Sequence, residues 1–133
     1  MPDQEFKKRL EELQGEIIAQ GDRVLSQATR AVDCYFDHDL DLARDVVKVE
    51  SEVDRIDVEI ERRSIPLLAL GQTDEYAIRS VLTIVKVNNE FERIGDNATH
   101  IAEATLDPRR EGSRLADTYR GMANSVLGML RDT

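Results

Sequence analysis

Asn88-Asn89-Glu90-Phe91-Glu92-Arg93-Ile94-Gly95-Asp96-Asn97-Ala98 is the stretch from which the fold can be read. Placed on a helix over residues 73–106, it continues a seam of Ala77, Val81, Ile84, Asn88, Phe91, Gly95, Ala98 and Ala102, spaced alternately three and four apart. Ser80, Val87, Ile94 and Ile101 widen the seam on one side. Val85, Asn89, Glu92, Asp96, Thr99 and Glu103 border it on the other. Glu92 and Asp96 stand one turn apart, so both carboxylates project from the same side, next to the notch left by Gly95.

Upstream, residues 40–70 predict a helix with Val46, Val49, Val53, Ile56, Ile60 and Leu67 on its apolar seam. Beside that seam runs a row of carboxylates, Glu50, Asp54, Asp57 and Glu61. Pro66 should kink this helix near its end, Leu70-Gly71 should stop it, and Thr73 should cap the next one. Before it, residues 4–36 predict a first helix with a seam of Phe6, Leu10, Leu13, Ile17, Gly21, Val24, Ala28, Ala31 and Tyr35. Gly21 falls on the seam, as expected where another helix comes close. Asp37-His38-Asp39 is the break, and Asp39 is placed to cap the second helix. So short a connection makes the first two helices antiparallel neighbours.

Downstream, Leu106-Asp107-Pro108 ends the third helix and Ser113 can cap a fourth. Leu115, Tyr119, Met122, Val126, Met129 and Leu130 form its apolar face. That face must pack on the first three helices or on another chain. Alternation at period two is absent throughout. The sequence thus predicts an all-α antiparallel three-helix bundle with an additional C-terminal helix.

Composition narrows the function. The 133 residues suit one domain with one core. A net charge of −9 argues against nucleic acid and points to cations or basic protein surfaces as partners. Residues 37–62 hold ten acidic and four basic residues, so they carry −6 of that total. No apolar run reaches transmembrane length, and the first residues lack the apolar core of a signal peptide. Cys34 is the one cysteine, which fits a reducing compartment, and cytoplasm is the expected location.

The chemistry sits in two pairs of equal spacing, Glu50-x-x-x-Asp54 and Glu92-x-x-x-Asp96. If the second and third helices pack antiparallel, these rows face each other across one groove. Unshielded, the carboxylates would repel and raise one another's pKa, a cost that a hard cation removes. Asp57, Glu61 and Asn89 lie on the same rows. Spacing alone also fits a solvated face paired with Lys and Arg. No Glu-x-x-His pair is present, which disfavours a di-iron oxidase bundle. Cys34 with His38 offers too few ligands for a zinc site, and His100 reads as a surface residue. Arg62-Arg63 and Arg109-Arg110 read as solvated helix ends. No catalytic residue stands out.

Residues 89–103, from Asn89-Glu90-Phe91-Glu92-Arg93-Ile94-Gly95-Asp96 to Ile101-Ala102-Glu103, resemble the third-helix signature of the PhoU family, with Phe91 in place of the usual leucine. Arg79 matches an arginine common early in that helix, whereas the proline usual in the preceding loop is missing. Residues 43–61 also resemble the family's second helix. The resemblance implies a PhoU-like three-helix repeat over residues 1–107. Residues 113–133 resemble the first helix of a second repeat. It implies a non-catalytic adaptor that regulates phosphate uptake and phosphate-dependent signalling. It further implies a metal site at Glu50, Asp54, Glu92 and Asp96 for iron, manganese, magnesium or zinc, and Asp57, on the same row as Glu50 and Asp54, is the expected fifth ligand. Expected partners are a phosphate transporter ATPase, a sensor histidine kinase, or both, with the chain itself a homo-oligomer such as a dimer. The alternatives are a helical oligomerisation module without metal, joined through residues 119–130, and a small metal-dependent phosphohydrolase.

Overall fold

The computed structural model describes residues 4–70, 74–107, 118, 120–126 and 128–129. Three long helices follow one another: α1 (Gln4–Asp37), α2 (Leu40–Leu70) and α3 (Glu75–Leu106). Each packs on the other two, and no strand occurs among the described residues. At about 1.5 Å per residue, helices of this length run the whole bundle from end to end.

The α1–α2 turn is closed by local hydrogen bonds. The Asp39 N–H donates to the Cys34 carbonyl at 3.0 Å, and His38 takes a left-handed φ of 55°. This is the Schellman ending of a helix, with histidine where glycine is usual. Asp39 then opens α2, its carboxylate accepting from the Leu42 N–H at 3.1 Å. At the other end the sequence reading needs correction. The cap of α3 is Asp74, whose side chain accepts from the Ala77 N–H at 3.2 Å, and the helix begins at Glu75. A carboxylate there satisfies an orphan donor and also meets the positive end of the helix dipole, which a threonine hydroxyl at position 73 would not. The stop expected at Gly71 lies outside the described residues. α2 continues through Pro66 to Leu70.

The seam of α1 also differs from expectation. From Leu13 onward the buried positions are Leu13, Ile17, Gln20, Val24, Gln27, Ala28, Ala31 and Cys34; Ala28 lies beside a row that otherwise alternates by four and three. Tyr35 is 41% exposed, and Cys34 takes its place in the core. Two glutamines are therefore core residues. Gln20 meets Asp57 of α2, and Asn88 of α3 donates to the Asp57 carbonyl at 3.0 Å. This polar layer, one residue from each helix, divides the apolar interior. On one side lie Phe6, Leu13, Ile17, Ile60, Leu67, Val81 and Ile84. On the other lie Val24, Ala31, Cys34, Val46, Val53, Ile94 and Ile101. Phe91 packs against both. A Cβ on Gly21 would sit 2.9 Å from Phe91 Cζ, so the glycine is the socket for that ring, where a close approach was expected.

The described residues from 118 to 129 are helical. Met122 is buried in the second apolar cluster, and Met129 packs against it. This segment therefore lies on the chain's own bundle, against Ala28 and Val32 of α1. The capping expected at Ser113 and the side chains of Tyr119 and Leu130 lie outside the described residues. Among the described residues no helix is long and apolar enough to cross a membrane.

Candidate metal centre

Antiparallel packing of α2 on α3 sets the two acidic rows side by side. Carboxylate oxygens of Glu50, Asp54 and Asp96 lie within 4.8 Å of one another. Two of the three come from one turn of α2 and the third from α3. Glu92 stays outside this group, exposed, one turn along α3 and facing Asp57. Asp57 also stands apart, buried in the polar layer, where its Oδ1 accepts from Gln20 Nε2 at 2.7 Å. Of the five carboxylates expected at the site, the structure gathers three and places two beside them.

Glu50 is held from one side only. Its Oε2 accepts from Gln27 Nε2 at 2.5 Å and from the Thr99 hydroxyl at 2.6 Å. Gln27 reaches it from α1, and its amide also donates to Thr99 at 3.2 Å. The approach is possible because residue 95 is glycine: a Cβ there would meet Gln27 Oε1 at 3.2 Å and Glu50 Oε2 at 3.7 Å. Two donors on one oxygen fix the rotation of the carboxylate and leave Glu50 Oε1 buried with no hydrogen-bond partner. Gln27 Oε1, Asp57 Oδ2 and Asn88 Oδ1 are likewise buried without one. All four atoms are acceptors. Buried oxygens left in this way ordinarily cost about 1–3 kcal/mol each, and an oxygen-seeking cation is a species that would relieve such a set.

The electrostatics agree. Partial burial, together with the neighbouring Glu50 carboxylate, raises Asp54 to about 6 from an ordinary 3.8. Burial raises Asp57 to about 6 as well; the Gln20 hydrogen bond opposes this, while the charges of Glu92, Asp54 and Glu50 add to it. No Lys or Arg is paired with Glu50, Asp54 or Asp96 among the described residues; the pairs that do occur, such as Arg63 with Glu16 and Arg79 with Glu75, lie elsewhere. An all-oxygen set of this kind suits hard ions such as magnesium, manganese or ferric iron.

Gln20 and Gln27 escaped the sequence reading, which named Thr99 only as a member of the row bordering the α3 seam. Their signal was present: two glutamines seven residues apart, on the same heptad row as Leu13 and Cys34, repeat at the interval of a buried seam.

Fold and site together define a class: an all-α bundle of long antiparallel helices with a carboxylate groove built from two of them. Within that class, the PhoU domain family model matches residues 17–105, and the chain belongs to the PhoU family. It is 32% identical over 99 residues to the phosphate-specific transport system accessory protein PhoU homolog of Aquifex aeolicus, covering 74% of this chain and 45% of the relative. The homolog from Pseudomonas putida is 30% identical over 131 residues, 97% of this chain and 51% of the relative. The Escherichia coli K12 protein of that name, PhoU, is 26% identical over 129 residues, 96% of this chain and 54% of the relative. The chain thus spans about half the length of these curated relatives. No solved structure matches it significantly.

Proposed function

We propose that the chain is an accessory regulator of a phosphate transport system, acting by protein contact and carrying a cation site at Glu50, Asp54 and Asp96. The observation that carries the site is the convergence of three carboxylates, one of which, Glu50, has an oxygen buried with no hydrogen-bond partner. Asp57 and Glu92 stand next to it and add negative potential. Gln27 and Thr99 orient Glu50, and the cation would neutralise the groove and tie α2 to α3. The names of the relatives, accessory proteins of a phosphate-specific transport system, support the phosphate role. In this reading a transporter ATPase and a sensor kinase are the partners it would bridge. A location in the cytoplasm accords with this reading. So does a three-helix repeat over residues 1–107 followed by the start of a second.

The oligomerisation reading relied on the apolar face of residues 119–130. In the described part of that segment, Met122 and Met129 are spent on the chain's own core, so that surface favours the adaptor.

The test is metal content and manganese titration of the chelated, repurified protein, wild type against Asp54→Asn with Asp96→Asn. Both substitutions are on exposed side chains, so helicity should be kept while manganese binding falls by about a hundredfold. Equal binding by both proteins would refute the site.

A further inference from the structure

The α1–α2 turn carries apolar surface that folding does not use. Tyr35 is 41% exposed, Phe36 72% and Leu40 43%. None of the three belongs to either core cluster. The two rings meet edge to face, centroids 5.3 Å apart and planes at 71°. Isolated exposed apolar side chains are ordinary, but neighbouring aromatic rings at a helix tip resemble the anchors of protein interfaces. They are also held in place. The Asp39–Cys34 backbone bond and the Asp39 cap fix the turn, and His38 accepts a left-handed φ of 55° to close it.

The charge around them is of one sign. Residues 33–45 contain Asp33, Asp37, Asp39, Asp41 and Asp45 against a single Arg44, which is already paired with Asp41 at 2.8 Å. Asp39 is accounted for as a cap. Asp33 and Asp37 are not, because they lie in the last turns of α1, where the helix dipole favours cations and the last turn has no basic residue. Helix stability therefore does not explain them. An aspartate ring repels nucleic acid, anionic lipid and the same tip of a second copy. It attracts a surface ringed by Lys or Arg.

We propose that this tip is a docking point for a protein that presents an apolar socket with a basic rim, Phe36 and Tyr35 entering the socket and Asp33 and Asp37 steering the approach. The identity of the partner as the transport ATPase rests on the adaptor reading above. The probe is therefore the purified ATPase subunit of the phosphate transporter from the same genome, titrated against the full chain at low and high salt. Tyr35→Ala with Phe36→Ala should weaken binding by about tenfold or more. Asp33→Asn with Asp37→Asn should slow association and flatten its salt dependence. Val58→Ala, exposed on α2, should change neither. Circular dichroism should show all variants folded, since none of these side chains is in the core. If the wild type binds and the aromatic variant matches it, the tip is refuted and the adaptor reading stands. If the wild type does not bind, the adaptor reading and the partner assignment fall together. If sedimentation shows that the aromatic variant instead breaks a dimer of this chain, a second copy is the occupant and the proposal is overturned.

Discussion

Asp57→Asn should gain stability relative to the wild type as pH rises, by about 3 kcal/mol between about pH 4 and about pH 7. Asp57 is only 4% exposed, and burial lifts its carboxyl from 3.8 to about 6. The folded chain therefore keeps a proton between those values that the unfolded chain has lost. Stability falls as pH rises across that window and is level above it, the opposite of a salt-bridged carboxylate. A rise of about two in pKa corresponds to the quoted 3 kcal/mol, at about 1.4 kcal/mol for each. Asparagine cannot ionise and keeps an oxygen for Gln20 Nε2, now 2.7 Å from Asp57 Oδ1. Its NH2 enters a place where Oδ2 has no partner, which adds a constant cost of about 1–3 kcal/mol at every pH. The pH-dependent part is thus the diagnostic one. Urea unfolding of the chelated proteins, followed by circular dichroism across this range, measures it directly. A difference between variant and wild type that does not change with pH would refute the assignment of a protonated, buried Asp57.

Two further perturbations test the packing around the site. Gly21→Ala should destabilise the chain by about 1–2 kcal/mol despite the better helix propensity of alanine, because its Cβ would lie 2.9 Å from Phe91 Cζ; Phe91→Leu in the same chain should recover most of the loss in thermal unfolding. Gln27→Leu should keep the helical spectrum but weaken manganese binding by about tenfold or more, as Glu50 Oε2 loses one of its two donors; unchanged affinity by calorimetric titration would show that Thr99 alone positions Glu50.

Most of the fold was legible because long helices repeat their pattern many times. The limits of α1 and α2, and the Asp39 cap, followed from spacing and turn chemistry. What was not legible turned on hydrogen bonds between helices. Gly21, Ala28 and Tyr35 make an apolar row on α1 that looks like the seam, but of the three only Ala28 is buried, and the interior row beside it includes Gln20 and Gln27. A glutamine reads as a surface residue until its amide has a carboxylate and a backbone carbonyl to meet, and those arrive from α2, with Gln20 also donating to the Val53 carbonyl at 2.9 Å. The acidic rows were visible, but their membership depends on the relative height of α2 and α3. That height places Asp96 beside Glu50 and Asp54 and sets Glu92 one turn away, against Asp57. No spacing within one helix fixes a register between two. The position of the α3 cap failed for a smaller reason: Thr73 and Asp74 are adjacent candidates, and only the structure shows which side chain reaches the Ala77 N–H.

Cys34 gives the chain a chemical stopwatch. It is fully buried among the side chains of all three helices at the Asp39 end, with its thiol against the Ala31 carbonyl at 3.1 Å and Thr105 at 3.7 Å, and burial raises the pH at which it becomes a thiolate. A thiol reagent reacts with the thiolate and must reach the sulfur, so labelling waits on a separation of the helices around it. Because the sequence has no other cysteine, each labelled molecule records one such opening. The labelling rate in native buffer then times excursions in the half of the bundle beyond the polar layer, apart from those that free Phe6 and Leu13. Addition of a cation that pins α2 to α3 would be read as a slower clock.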